Sequence, residues 1–309
     1  MRAMIFASLA LLALLVGFTV DYFVLRYMRL IGNIFLSLVY KPSQEPPASA
    51  RGDRLTIVDS SDHEIDILLI EKRYSKKAVI FCHESGMNKE SWESYAYFLP
   101  ELGYSMISMD FDRPSEQENN SLSQWPTQDD VQKVLTVIRW AKRVLHLDLQ
   151  IVLFGISNGA DIAFAASFED ASVRGVVADG LFSMEEIFRD YIRKWAPMLV
   201  RPNPFGERLP GWVVNLFAAL GFWYSQKQSK KRFVNVEDLL RRRHVPLLMI
   251  HGERDDYVPE NHQKFLRSIP GEPGKFQHLT VSQAGHNQAV QVAREVYEET
   301  ITGFLTKIS

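Results

Sequence analysis

Ser157, Asp255 and His286 are the residues of this chain whose types and spacing could do chemistry together. Ser157 is the centre of Gly155-Ile156-Ser157-Asn158-Gly159, after the apolar run Ile151 to Phe154 and before a helix-like run from Ala160 to Phe168. A serine at a strand–turn–helix junction needs neighbours without a Cβ, because strand and helix pack closely there. Asp255 stands in His251-Gly252-Glu253-Arg254-Asp255-Asp256-Tyr257-Val258-Pro259, after the apolar run Val245 to Ile250. His286 closes Ala284-Gly285-His286, after the strand-like segment Phe276 to Val281. A serine hydroxyl is a poor nucleophile at neutral pH. A histidine that takes its proton during attack and returns it to the leaving group, oriented by a carboxylate, makes it an effective one. The corresponding chemistry is acyl transfer, with an acyl-enzyme cleared by water.

Each position has competitors. Asp256 adjoins Asp255, and Asp179 ends the strand-like segment Val173 to Ala178, so either could supply the acid. Ser157 could be a plain turn serine. His83 and His251 read as loop-bracing residues, whereas His63, His146, His244, His262 and His278 lack a matching context. Cys82, the one cysteine, excludes an intramolecular disulfide; it sits in the apolar run Ala78 to Cys82 and reads as a buried strand residue. No metal-ligand cluster and no glycine-rich phosphate loop stand out, so neither a metal nor a cofactor is expected.

The three candidates lie just past the carboxyl ends of expected strands, and in an open parallel sheet those ends share one ligand-binding edge. Strands are expected at Arg54 to Asp59, Glu64 to Glu71, Ala78 to Cys82, Tyr104 to Phe111, the run before Gly155, Val173 to Ala178, Val245 to Ile250 and Phe276 to Val281. Helices are expected at Ser91 to Leu102, Asp129 to Leu145, Ala160 to Phe168, Asn261 to Ser268 and Ala289 to Lys307, with a polar loop from Asp112 to Gln124. Their alternation argues for a parallel sheet.

At these motifs, and in the chain order Ser, Asp, His, the sequence resembles the α/β-hydrolase superfamily. It is most similar to membrane-anchored serine esterases and lipase- or peptidase-like members with an H-G-x-x-D-x-x-V-P acid loop. The resemblance runs from Arg51 to the C-terminus. It implies an α/β fold: a mostly parallel central sheet, helices on both faces and a helical cap insertion. It also implies an oxyanion hole. One donor is the amide of Asn158. The segment His83 to Trp92 resembles the H-G-x-x-x-N-K-E-x-W loop, which makes the amide of Ser85 the other. Glu84 replaces the usual glycine there. Its side chain is expected to point to solvent; a close carboxylate would instead disfavour anionic substrates. The activity implied is cleavage of carboxylic esters with hydrophobic acyl or alcohol groups. The alternatives are a thioesterase, a membrane-tethered serine peptidase, or a non-catalytic binding protein on the same fold.

With 309 residues, 46% apolar and 23% charged, the chain has ample material for one large domain after an N-terminal extension. A net charge of −2 carries no nucleic-acid signature. Ala3 to Val20 is uncharged, at the lower limit for crossing a bilayer. A second uncharged stretch, Leu30 to Tyr40, follows Arg26 and Arg29, and either extends that helix or lies in the interface. Residues 1–41 read as a single-pass membrane anchor, 42–50 as a Pro/Ser/Ala linker, and 51–309 as the hydrolase domain. A cleaved signal peptide is the alternative, through Ala48-Ser49-Ala50, although that site lies far beyond the apolar core; a packed core helix is the third. Arg26, Arg29 and Lys41 follow the span and Arg2 precedes it, so the positive-inside rule leans towards a cytoplasmic domain. The cap is expected at about 182–237, rich in aromatic residues. It reads as a pocket cover, or as a face that dips into the bilayer with Lys227, Lys230, Lys231 and Arg232 on anionic headgroups.

Overall fold

The computed structural model describes residues 2–38, 42, 47–58, 64–111, 124–199, 206 and 208–308. Nearly all of the polar loop expected at 112–124 lies outside them, as does part of the linker. Among the described residues, eight strands form one sheet: β1 (Asp53–Val58), β2 (Glu64–Ile70), β3 (Lys77–Cys82), β4 (Ser105–Met109), β5 (Gln150–Ile156), β6 (Val173–Asp179), β7 (Leu247–Gly252) and β8 (Phe276–Val281). Their order is β1-β2-β4-β3-β5-β6-β7-β8. The β1–β2 and β2–β4 pairings are antiparallel, and the pairings from β4 through β8 are parallel.

The apolar strand runs are apolar because both faces of the sheet are covered. Successive side chains of a strand point to opposite faces. In β3, Ala78, Ile80 and Cys82 enter one core and Val79 and Phe81 the other; in β5, Ile151 and Leu153 part from Val152, Phe154 and Ile156 in the same way. The first core is completed by α3 (Gln128–Val144), α4 (Asn158–Ala166), α7 (Val236–Arg241) and α8 (Glu260–Ser268). The second is completed by α2 (Trp92–Tyr95), α9 (Ala289–Val292) and α10 (Arg294–Ile308). α3 shows how these helices are specified. Thr127 caps it, accepting from the Asp130 amide, and Val131, Val134, Ile138 and Ala141 recur on its buried face.

Two expected helices are broken. The segment 89–102 forms a 3₁₀ turn, the single turn α2 and a second 3₁₀ turn, Leu99–Leu102. Pro100 has no N–H to give an α-helix, and Gly103 stops the segment at φ 84°. The last helix is interrupted at Ala293, φ −142°, between α9 and α10.

Contacts divide the chain into two compact units, Val39–Met184 with Lys231–Ser309, and Met1–Leu38 with Glu185–Lys230. The first holds the sheet. The second is helical: α1 (Arg2–Ser37), α5 (Met184–Leu199), which begins one residue before it, and α6 (Gly211–Ser229). α1 is one unbroken helix that runs through the second uncharged stretch as far as Ser37. Arg26 and Arg29 do not interrupt it because both are exposed, while Met28, Gly32 and Phe35 are buried one turn apart. A Cβ at Gly32 would lie 2.5 Å from the Tyr224 ring and 3.3 Å from the Gly221 carbonyl oxygen, so α1 and α6 touch nearly backbone to backbone. Phe35 stacks on Phe188, and Tyr27 meets Phe217 edge-on. A cavity of about 330 Å³ opens in this unit, walled by side chains such as Phe23, Ile31, Trp195 and Val213. Its walls include none of the residues at which chemistry is expected. Upstream, α1 exposes its apolar side chains, Phe6, Leu14 and Phe18 among them; Ser8–Ser37 is long and apolar enough to cross a membrane.

Candidate active site

β5 delivers Ser157 at its carboxyl end, and α4 begins at the next residue. Ser157 has φ 53° and ψ −120°, a region that costs a residue with a side chain about 1–3 kcal/mol and recurs at functional sites. The two flanking glycines make the turn possible. A Cβ at Gly155 would stand 2.2 Å from the Gly159 carbonyl oxygen, and one at Gly159 would stand 2.3 Å from that of Cys82. The start of α4 is therefore pressed against the exit of β3, where the loop with Ser85 begins.

β7 ends at Gly252 and the following loop carries Asp255; the loop after β8 carries His286. The Ser157 Oγ lies 2.9 Å from His286 Nε2, and His286 Nδ1 lies 2.7 Å from Asp255 Oδ2. A carboxylate only accepts, so Nδ1 carries the imidazole proton and Nε2 is left to accept from the serine hydroxyl. Asp255 Oδ1 accepts from the amides of Tyr257 and Val258, at 2.8 and 2.7 Å. Burial drives the Asp255 carboxyl upward, but the His286 hydrogen bond and charge, the Val258 amide and His251 outweigh it and hold the group below its ordinary value. Gln263 fixes the loop by donating to the carbonyls of Gly252 and Val258. The structure thus brings Ser157, His286 and Asp255 together across 129 and 31 residues of sequence.

The competing acids are placed elsewhere. Asp256 is exposed. Asp179 is buried at the end of β6, where its carboxylate accepts from the Tyr297 hydroxyl and its carbonyl from the Ser157 amide. Burial first, then the charges of Glu84 and Asp255, lift its carboxyl to about 7 against the opposing effects of Tyr297 and His286. His83 and His251 brace loops, as their contexts suggest: His83 Nδ1 donates to the Glu84 carbonyl, and His251 Nε2 to that of Leu181. Burial holds His251 down at about 4, so it is neutral near pH 7. Cys82 is fully buried in β3 and its thiol is pushed far up by that burial.

Ser85 and Asn158 are both buried beside this arrangement, Asn158 in the first turn of α4, where backbone N–H groups point out of the helix start. Glu84 departs from expectation. It does not point to solvent: it is fully buried, with Oε1 accepting from the Tyr95 hydroxyl at 2.7 Å and Oε2 from Asn287 Nδ2 at 2.5 Å. Sequence reasoning also passed over Asn287 and Tyr257. Asn287 follows His286 directly at φ 56°, and the Tyr257 ring lies 4.8 Å from the imidazole. Adjacency to the histidine and to the acid loop was the available signal for both.

No protein-family profile matches the chain. It is 23% identical over 230 residues to the uncharacterized protein YfhR of Escherichia coli O157:H7, covering 74% of this chain and 69% of that one. Among solved structures it is similar to the Pyrococcus furiosus esterase Pf2001, with TM-score 0.61 and 18% identity over 88% of this chain and 98% of that one. It is also similar to the α/β hydrolase GrgF from Penicillium sp. sh18, with TM-score 0.58 and 16% identity over 83% and 98% of the two chains. A bacterial membrane phospholipase A aligns over 100% of this chain and 99% of its own, with TM-score 0.56 and 17% identity. Together with the strand order and the position of Ser157 after β5, these likenesses identify the fold of the chain as the α/β-hydrolase fold.

Proposed function

We propose that this protein is a serine hydrolase that cleaves carboxylic esters of hydrophobic acyl or alcohol groups, with Ser157 as nucleophile, His286 as general base and acid, and Asp255 as the orienting carboxylate. The observation that carries the reading is the continuous hydrogen-bonded line Ser157–His286–Asp255, with the serine held at positive φ. The Ser157 Oγ attacks the ester carbonyl while His286 Nε2 takes its proton. The tetrahedral oxyanion is stabilised by the amides of Ser85 and Asn158. Collapse expels the alcohol, which leaves with the proton from His286. Water, deprotonated by the same nitrogen, then attacks the acyl-serine, and the acid product departs as Oγ regains its proton. Asp255 stays ionised throughout and offsets the positive charge of the imidazolium.

α1 serves in this reading as the membrane anchor and the segment at about 182–237 as the cap. A lipid-like ester suits both, and the membrane phospholipase A to which the chain is similar along its whole length supports that class. The test is labelling of the detergent-solubilised protein with a fluorophosphonate probe, with Ser157→Ala as control, followed by turnover of p-nitrophenyl esters of graded chain length, thioesters and a peptide library. Labelling that Ser157→Ala abolishes, with turnover rising with acyl length, is expected. Labelling that persists in the variant would refute the assignment of the nucleophile. Faster thioester or peptide cleavage would move the substrate class.

A further inference from the structure

Glu84 is a fully buried acidic side chain that stands where the resembled loop has glycine, and each of its two carboxyl oxygens has a partner. It lies one residue before Ser85, and its side chain spans two loops that are 203 residues apart in sequence. One oxygen accepts from Tyr95 in α2 and the other from Asn287, the residue after His286. The backbone of the same residue is tied down as well, its carbonyl accepting from His83 Nδ1 and from the Met87 amide at 3.2 Å. Asn287 holds φ 56°, a conformation that asparagine adopts more readily than most residues but that still needs support. Gly180 leaves room for it: a Cβ there would lie 2.4 Å from Asn287 Oδ1 and 3.1 Å from His286 Cε1.

We propose that Glu84 is a positioning residue that joins the Ser85 loop to the His286 loop through Asn287, so that the oxyanion donor and the base are held in one register. This rests on the serine hydrolase reading above. A link of this kind acts where attack and charge development are simultaneous: an imidazole displaced by a fraction of an ångström no longer lines up with Oγ while the amide faces the oxyanion. It leaves the ester-binding surface untouched. Loss of the link therefore falls on kcat rather than on KM.

The test is a double-mutant cycle on a p-nitrophenyl ester, with the full chain in detergent: Glu84→Ala, Asn287→Ala, the double variant and Glu84→Gln. Each alanine variant is expected to lower kcat by about 10- to 100-fold with KM within about twofold, and the double variant to be no worse than the weaker single, since both act through one bond. Glu84→Gln restores most of the loss, because its carbonyl can accept from Asn287 while its amide donates to the Tyr95 oxygen. Additive losses, or a lowered thermal midpoint with unchanged kcat, would overturn the proposal. So would a Gln variant as slow as the Ala variant. Should Glu84→Ala fail to fold, Asn287→Ala and Glu84→Gln decide the matter by the same criteria. Ser157→Ala run alongside separates the two readings: turnover surviving there rejects the serine mechanism, whereas turnover lost there with unaffected Glu84 and Asn287 variants rejects only the link.

Discussion

The carbonyl oxygen of Cys82 stands 2.3 Å from where a Cβ on Gly159 would be. Strand β3 and helix α4 have no space between them for one methyl group, and that contact sets how Ser157 faces the loop after β3. Gly159→Ala is expected to cost about 1–3 kcal/mol of stability as backbone moves to relieve the overlap. It should also slow the labelling of Ser157 by a fluorophosphonate. A variant with wild-type melting and labelling would mean that this contact yields freely.

Ser157→Ala and His286→Ala are each expected to reduce kcat by about 10³-fold or more, because nucleophile and base act as a unit. Circular dichroism of both should match the wild type. Wild-type ester turnover by Ser157→Ala would end the serine mechanism.

Asp255→Asn is expected to lose about 10²-fold or more in kcat, since an amide cannot offset the imidazolium charge and can present the wrong group to Nδ1. Asp256→Asn should stay within about threefold, as befits an exposed side chain. The reverse ranking, measured on one ester at saturating concentration, would reassign the acid.

Asp179 yields a pH prediction. Its carboxyl rises from 3.8 unfolded to about 7 folded. Between those values the folded protein keeps a proton that the unfolded chain has released, so the stability contributed by this group falls as pH climbs through the window and levels off above it. Asp179→Asn lacks that dependence. Its urea midpoint relative to wild type should therefore climb between about pH 5 and about pH 8. His251 changes stability in the opposite sense over an overlapping range, but it does so in both proteins and cancels from the comparison. A flat difference would show that Asp179 titrates as an ordinary aspartate.

Deleting residues 1–41 should abolish integral membrane attachment, because it removes a helix long and apolar enough to cross the bilayer. Flotation with anionic and neutral liposomes at low and high salt reads the outcome. Residual binding through exposed Trp212 and Trp223 and the nearby lysines should appear on anionic liposomes alone and weaken with salt. Lys231 contributes least, because it is paired with Asp129. Salt-resistant integration of the truncated protein would place the anchor elsewhere.

The line from Ser157 to Asp255 was legible because each residue sits at the end of an apolar strand run, and the parallel sheet gathers those ends on one edge. β8 was legible to the residue, since its bounds coincide with the expected segment. Glu84 was not. A carboxylate is buried only where donors await it, and its donors come from Tyr95 and Asn287, which no local pattern connects. The helix expected over 91–102 was lost to Pro100, a residue visible in the sequence whose effect apolar spacing had masked. The course of α1 through Arg26 and Arg29 depended on which side of the helix those charges fall, and that is decided by packing against α6.

The near-contact of Gly32 with Gly221 has a mechanical meaning. At 1.5 Å per residue, the 36 residues of α1 extend about 54 Å, well beyond the roughly 30 Å of a hydrocarbon core. With about 20 residues embedded, the rest of the same rod projects as a stalk, and α6 is bolted to that stalk with no joint between. In the proposed anchored state, a thinner bilayer that makes the rod lean must swing α6 through the same angle. The lipid composition around the anchor thereby becomes a lever on the orientation of α6.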